Sequence, residues 1–237
     1  MIEEKIEKKI LCSIGGGPTV NWREEIEVLK KSGIKECALF LNLMNSEDRR
    51  QLFRELDTIT ELVVPFIQAA HDMELWECDY LITKHHTEVF SFSSEPHFFS
   101  LALVLQKYKE NIIFENAAGR AHADLFTDEA LTRSGVIGIC LHLGNLENDR
   151  MHNSKKYQIS IHALDHHPLK ATRISPIMSS WWRKVLTPRR RRLESLSELD
   201  YLKHVPANYM APLIIIDADN TLDEQKEIKE YIRLLLS

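Results

Sequence analysis

The sequence has no Cys-x-x-Cys pair, no long apolar run and no excess of positive charge, and each absence narrows the possibilities. Its four cysteines, Cys12, Cys37, Cys78 and Cys140, lie far apart. Cys12, Cys37 and Cys140 sit in apolar runs, where buried free thiols are expected, so the expected compartment is reducing. No apolar stretch approaches the roughly 18 residues that a membrane span requires. The first residues, Met1-Ile2-Glu3-Glu4-Lys5, lack the basic-then-apolar order of a signal peptide. The expectation is a cytoplasmic protein with no membrane partner. With 30 Lys and Arg against 35 Asp and Glu, the net charge is -5. A generally basic nucleic-acid footprint is therefore missing, although a local one is not. No Pro/Gly/Ser-rich linker divides the chain, so a single domain over 1–237 is expected.

What the sequence does have is an alternation. Strand-like runs begin near 10, 37, 62, 88, 111, 136, 157 and 213, and several of them are nearly unbroken apolar residues. Such runs fit strands buried on both faces. Each is followed by helical or partly helical sequence. Trp22, Ile26 and Leu29 share one helical face that Gly33 terminates, and Ser46 opens a helix with Leu52, Phe53 and Leu56 as its stripe. Eight repeats in 237 residues fit an α/β protein of the (β/α)8 TIM-barrel type, which needs roughly 250 residues. An open doubly wound sheet is the alternative, because the count rests on weak runs near 88 and 157. The region at about 164–211 reads as an extended basic loop on the carboxyl-end face. It carries Trp181, Trp182 and the run Arg189, Arg190, Arg191 and Arg192.

Barrel sites use residues at the carboxyl ends of strands. Glu115, His142, His162 and Asp217 each end an apolar run, and His71 and Asp72 follow the third. Period two puts Asp217 on the face of Leu213 and Ile215, and His142 on that of Gly138 and Cys140. A carboxylate in dry protein is costly unless it is paired or bound to a metal. One such residue reads as a structural salt bridge, and either histidine reads equally as a buried ring bonded to backbone. Four converging residues read as a site. Two carboxylates and two imidazoles suit a divalent Mn, Zn or Fe ion.

On these residues the chain resembles the xylose-isomerase-like barrel superfamily, which includes sugar-phosphate isomerases and epimerases and metal-dependent apurinic endonucleases. The matching pieces are Ile112-Ile113-Phe114-Glu115-Asn116, the run from Gly138 through His142 to Asn145, Ile161-His162-Ala163-Leu164-Asp165, and Ile214-Ile215-Ile216-Asp217. The resemblance implies that Glu115 is the fifth-strand metal-binding glutamate and His162 the seventh-strand histidine. Asp165 matches an aspartate often found three residues later. His142 stands where an aspartate ligand is usual, Asn145 where a histidine is frequent, and Asp217 where the final residue is a glutamate. His71 falls where a substrate-facing histidine is often placed. In such a site a divalent ion holds sugar oxygens and polarises a carbonyl, while Glu115 and Asp217 move the adjacent proton.

Three further features carry alternatives. Gly15-Gly16-Gly17 reads as an anion-cradling turn or simply a tight loop. Arg190 and Arg192 read as a clamp for a phosphorylated substrate, as DNA-backbone contacts beside a Trp181 or Trp182 wedge, or as a solvated loop. His166 and His167 read as further metal ligands or as surface residues, and His85 at a helix end suits an imidazolium. The leading expectation is a divalent-metal-dependent isomerase or epimerase acting on a small sugar or sugar phosphate. The alternatives are a non-catalytic barrel binding a metabolite or protein partner, and an apurinic-endonuclease-like phosphodiesterase.

Overall fold

The computed structural model describes residues 8–15, 21–93, 105–116, 126–177 and 192–237. Eight parallel strands form one closed barrel in sequence order. They are β1 (Lys9–Ile14), β2 (Glu36–Phe40), β3 (Val63–Gln68), β4 (Val89–Ser93), β5 (Ile112–Glu115), β6 (Ile139–His142), β7 (Leu169–Ile174) and β8 (Leu213–Ile216). The register Ile10↔Ile214 between β1 and β8 closes the ring. Alternate residues point inward, so Phe40, Phe66, Ile113, Cys140 and Ile215 share one buried cluster that fills the barrel. The opposite faces pack against the helices.

Those helices are α1 (Trp22–Ser32), α2 (Ser46–Leu56), α3 (Leu75–His85), α4 (Asp128–Ser134), α5 (Leu143–His152), α6 (Ser154–His166) and α7 (Leu222–Leu236). Their starts obey local chemistry. Asn45 accepts the Asp48 N–H, and Thr127 accepts the Ala130 N–H. Gly33 and Gly135 take left-handed backbone at the ends of α1 and α4. The buried Gln225 amide ties α7 to the barrel. Its Nε2 donates to the Ser13 and Asn220 carbonyls, and its Oε1 accepts the Ser13 N–H at 2.7 Å.

Seven expected strands are present, and the eighth is displaced. The run 157–163 alternates apolar and polar residues, yet it lies within α6. Tyr157, Ile161 and Leu164 also satisfy helical spacing, and together they pack on the core. Asn153 starts that helix by accepting the Lys156 N–H. The true β7 follows Pro168. The expected loop at 164–211 therefore contains the end of α6, β7 and two short 3-10 segments, Leu196–His204 and Ala207–Tyr209. Trp181, Trp182 and Arg189 to Arg191 lie outside the described residues. His85 also departs from expectation. It is buried, and burial pulls its pKa down, so the ring is held neutral between the Leu62 carbonyl and the Tyr80 hydroxyl rather than as an imidazolium. No described helix is long and apolar enough to cross a membrane.

At the carboxyl end, two βα connections are locked by Arg49 of α2, which is fully buried. Its Nε donates to Glu77 Oε1 at 2.8 Å and its Nη2 to Glu77 Oε2 at 3.2 Å. Nη1 donates to the Met44 carbonyl and to Asp72 Oδ1, and Nη2 also reaches the Asp72 carbonyl. All five guanidinium donors are used. Glu77 additionally accepts the Glu74 N–H that opens α3. Replacing Arg49 by Met strands the buried Glu77 carboxylate and should cost about 3–5 kcal/mol in urea unfolding. The Asp72 side chain is 45% exposed, so Asp72→Asn should cost less than about 1 kcal/mol. Equal losses in the two variants would contradict this assignment.

Candidate functional site

The carboxyl ends of β3 to β8 bring a set of polar side chains into the mouth of the barrel. Glu115 ends β5, Arg173 is the penultimate residue of β7, and Asp217 follows β8 directly. All three are buried, at 7%, 5% and 3% exposure respectively. The Arg173 guanidinium lies between the two carboxylates. Nη1 donates to Glu115 Oε2, and Nη2 donates to Asp217 Oδ2 at 2.7 Å. Its plane rests over the Phe40 ring, with Cζ 4.9 Å from the centroid. Burial alone would lower the arginine pKa, but Asp217 and Glu115 outweigh it and hold the guanidinium firmly charged.

Each carboxylate is also oriented from behind. Gln68 Nε2 donates to Glu115 Oε1 at 3.1 Å, and the Ser91 hydroxyl lies 3.5 Å from Oε2. His142 Nε2 donates to Asp217 Oδ2 at 2.8 Å. His142 Nδ1 accepts the Asn145 N–H at 3.1 Å, which caps α5. An acceptor at Nδ1 and a donor at Nε2 define the neutral Nε2–H tautomer. Asn116 fixes the backbone of the same residue. Its Oδ1 accepts the His142 N–H at 2.6 Å, and its Nδ2 donates to the His142 carbonyl. Asn145 Nδ2 then donates to the Asn116 carbonyl, linking the ends of β5 and β6. At Gly144 a Cβ would meet Ser175 Oγ after β7, so a larger residue there would have to displace that hydroxyl. Burial raises the pKa of Cys140, which precedes His142 on the same face of β6, and keeps it a thiol.

Of the residues expected in the site, Glu115, His142 and Asp217 come together. His162 does not. It lies on α6, its ring 4.2 Å from that of His166, because the strand expected to carry it is a helix. Asp165 is exposed on the same helix, and His167 pairs with Asp128 at 2.7 Å. Asn145 holds β5 and β6 together, as described above. His71 is exposed on the rim after β3. Arg192 forms an ion pair with Glu224 of α7, while Arg190 lies outside the described residues. The Gly15 N–H donates to the buried Glu25 carboxylate at 3.0 Å. That glycine takes φ +120°, and a Cβ would collide with the Phe40 carbonyl, so its role is close packing of the first turn. Gly16 and Gly17 lie outside the described residues.

The central residue missed in the sequence is Arg173. The available signal was Ala171 and Arg173 at period two in a short run after Pro168, with a charge on the inward face. Gln68 was legible in the same way, as the polar end of an apolar strand.

The donor set does not fit a divalent ion. Its two carboxylates already grip a cation, and both ring nitrogens of His142 are committed, with the proton on the nitrogen nearest Asp217. Among the described residues no group of three or more His, Cys, Asp and Glu side chains is arranged to hold a metal. Substituting Arg173 by Met leaves two buried carboxylates uncompensated and should cost about 3–5 kcal/mol. Adding Glu115→Gln and Asp217→Asn should recover most of that loss, because the charges then vanish together. Urea unfolding of the single and triple variants measures both. A single variant as stable as the parent would show that the network does not hold the mouth.

No family model and no curated protein matches this sequence. Solved structures do match its fold. Endonuclease IV from Thermus thermophilus superposes with a TM-score of 0.52 at 12% identity, over 96% of this chain and 98% of that one. An HpcH/HpaI aldolase from Desulfitobacterium hafniense superposes with a TM-score of 0.50 at 9% identity, over 97% and 93%. At such identities the likeness concerns architecture alone, and it agrees with the strand topology: the fold is a (β/α)8 TIM barrel.

Proposed function

We propose that this chain is a metal-independent barrel that binds a small, oxygen-rich metabolite of the sugar or sugar-phosphate class at its carboxyl-end mouth without transforming it. The observation that carries this reading is the Arg173 guanidinium spanning Glu115 and Asp217. A base for proton abstraction needs a carboxylate free to take a proton. Both Glu115 oxygens are engaged by Gln68, Ser91 and Arg173. His142 is committed at both nitrogens. A fixed set of donors and acceptors at a barrel mouth suits recognition of hydroxyl and carbonyl groups. The sugar class rests on the resemblance of the strand-end motifs to the xylose-isomerase-like superfamily.

A second reading keeps the isomerase or epimerase activity. It is favoured by one observation: two carboxylates from different strands of the barrel face a single cation. In that reading Arg173 polarises the substrate carbonyl in the place of a metal ion, and Glu115 or Asp217 exchanges the neighbouring proton. The phosphodiesterase reading draws on the arginine run, whose one described member, Arg192, pairs with Glu224.

A panel of aldoses, ketoses and their phosphate esters separates the readings. A true ligand at tenfold its Kd adds about 1.4 kcal/mol and should raise Tm by about 3–5 °C. The shift should persist in EDTA, and substrate NMR in D2O should show no deuterium entering next to the carbonyl. Deuterium incorporation would replace binding by isomerisation. A panel without a single shift would remove the sugar class.

A further inference from the structure

We infer that Arg173 is a tethered counter-ion closing a latent divalent-cation site, so that its removal lets Glu115 and Asp217 hold an oxygen-preferring cation such as Mn²⁺. The inference rests on the metal-free reading above and deepens it, by naming the residue that sets metal independence. Two carboxylates buried this deeply are costly to hold close together unless a cation lies between them. Arg173 supplies it from β7, one nitrogen to each acid.

A comparison within the same molecule separates charge from fork geometry. Arg49 is matched at all five donors and grips one carboxylate with two nitrogens. Arg173 splits its two ends between two acids, and its buried Nε has no hydrogen-bond partner among the described residues. Its surroundings are thus matched to a positive charge and only partly to a guanidinium. The acids, in contrast, are held independently of it. Gln68 and Ser91 orient Glu115, and His142 orients Asp217. Donors placed behind carboxylates in this way serve to aim them at a cation.

The same contacts choose the cation. His142 keeps its proton on Nε2 and its Nδ1 on the Asn145 N–H, so it stays behind Asp217 and presents no lone pair. The site left by Arg173 offers carboxylate oxygens and room for water. Hard cations accept that set, and nitrogen- and sulfur-preferring ions do not. Mn²⁺ is the suitable probe, because it has little tendency to recruit the nearby Cys140 thiol.

The test titrates Mn²⁺ alone against three proteins, reading the free ion by electron paramagnetic resonance and stability by Tm. The wild type should leave the free-ion signal and its Tm unchanged. R173A, produced and purified with Mn²⁺ present, should bind one equivalent at least tenfold more tightly than the wild type, with a Tm that rises on adding the ion. R173A/E115Q should lose that binding. A folded R173A that binds no better than the wild type overturns the inference alone. So does an R173A protein that fails to fold with and without Mn²⁺, since the ion is predicted to replace the guanidinium. Tight binding by the wild type overturns the metal-free reading, and this inference with it.

Discussion

Two acidic side chains from β5 and from the end of β8 are buried in the barrel mouth with one arginine between them. An isolated buried carboxylate costs several kcal/mol, and two adjacent ones repel each other as well. The guanidinium of Arg173 offsets part of both penalties at once. The rest of the mouth is arranged around that fact. Gln68 and Ser91 add further donors to the Glu115 carboxylate, His142 takes its tautomer from Asp217, and Asn116 and Asn145 fix His142 in turn. The chain of dependence runs from a charge to a ring orientation to a helix cap.

The barrel makes this arrangement possible because each strand contributes little more than one inward residue at its carboxyl end. Ser91, Glu115, Arg173 and Asp217 thus meet although they are far apart in sequence. The apolar layer beneath them, with Phe40, Ile113, Cys140 and Ile215, excludes water from below. On one side of the rim, Arg49 ties the loops after β2 and β3 through Met44, Asp72 and Glu77. One arginine there serves the scaffold and the other serves the mouth, and their hydrogen-bond completeness tells them apart.

Much of the barrel was readable from the chain alone. Ile112-Ile113-Phe114-Glu115 and Leu213 to Asp217 are apolar runs with a charged end, and a strand buried on both faces leaves few other interpretations. The failure at β7 has a physical cause. The segment 157–163 has apolar residues at both strand and helix spacing, and only Asn153, which caps α6, breaks the tie. The true strand carries Lys170, Thr172 and Arg173, of which only Arg173 reaches the site, and these polar residues remove the apolar signature that marks its neighbours. Moving one strand placed His162 in the site and left Arg173 out of it. The expectation of a metal followed directly, since two acids and two imidazoles ask for one, whereas two acids and an arginine are already neutralised in part.

The direct measurement is the anomalous scattering map from wild-type crystals grown in Mn²⁺. Side-chain density for Arg173 between Glu115 and Asp217, with no anomalous peak there, is the expected result. A Mn²⁺ peak coordinated by Glu115 and Asp217, with Arg173 turned away, would contradict it.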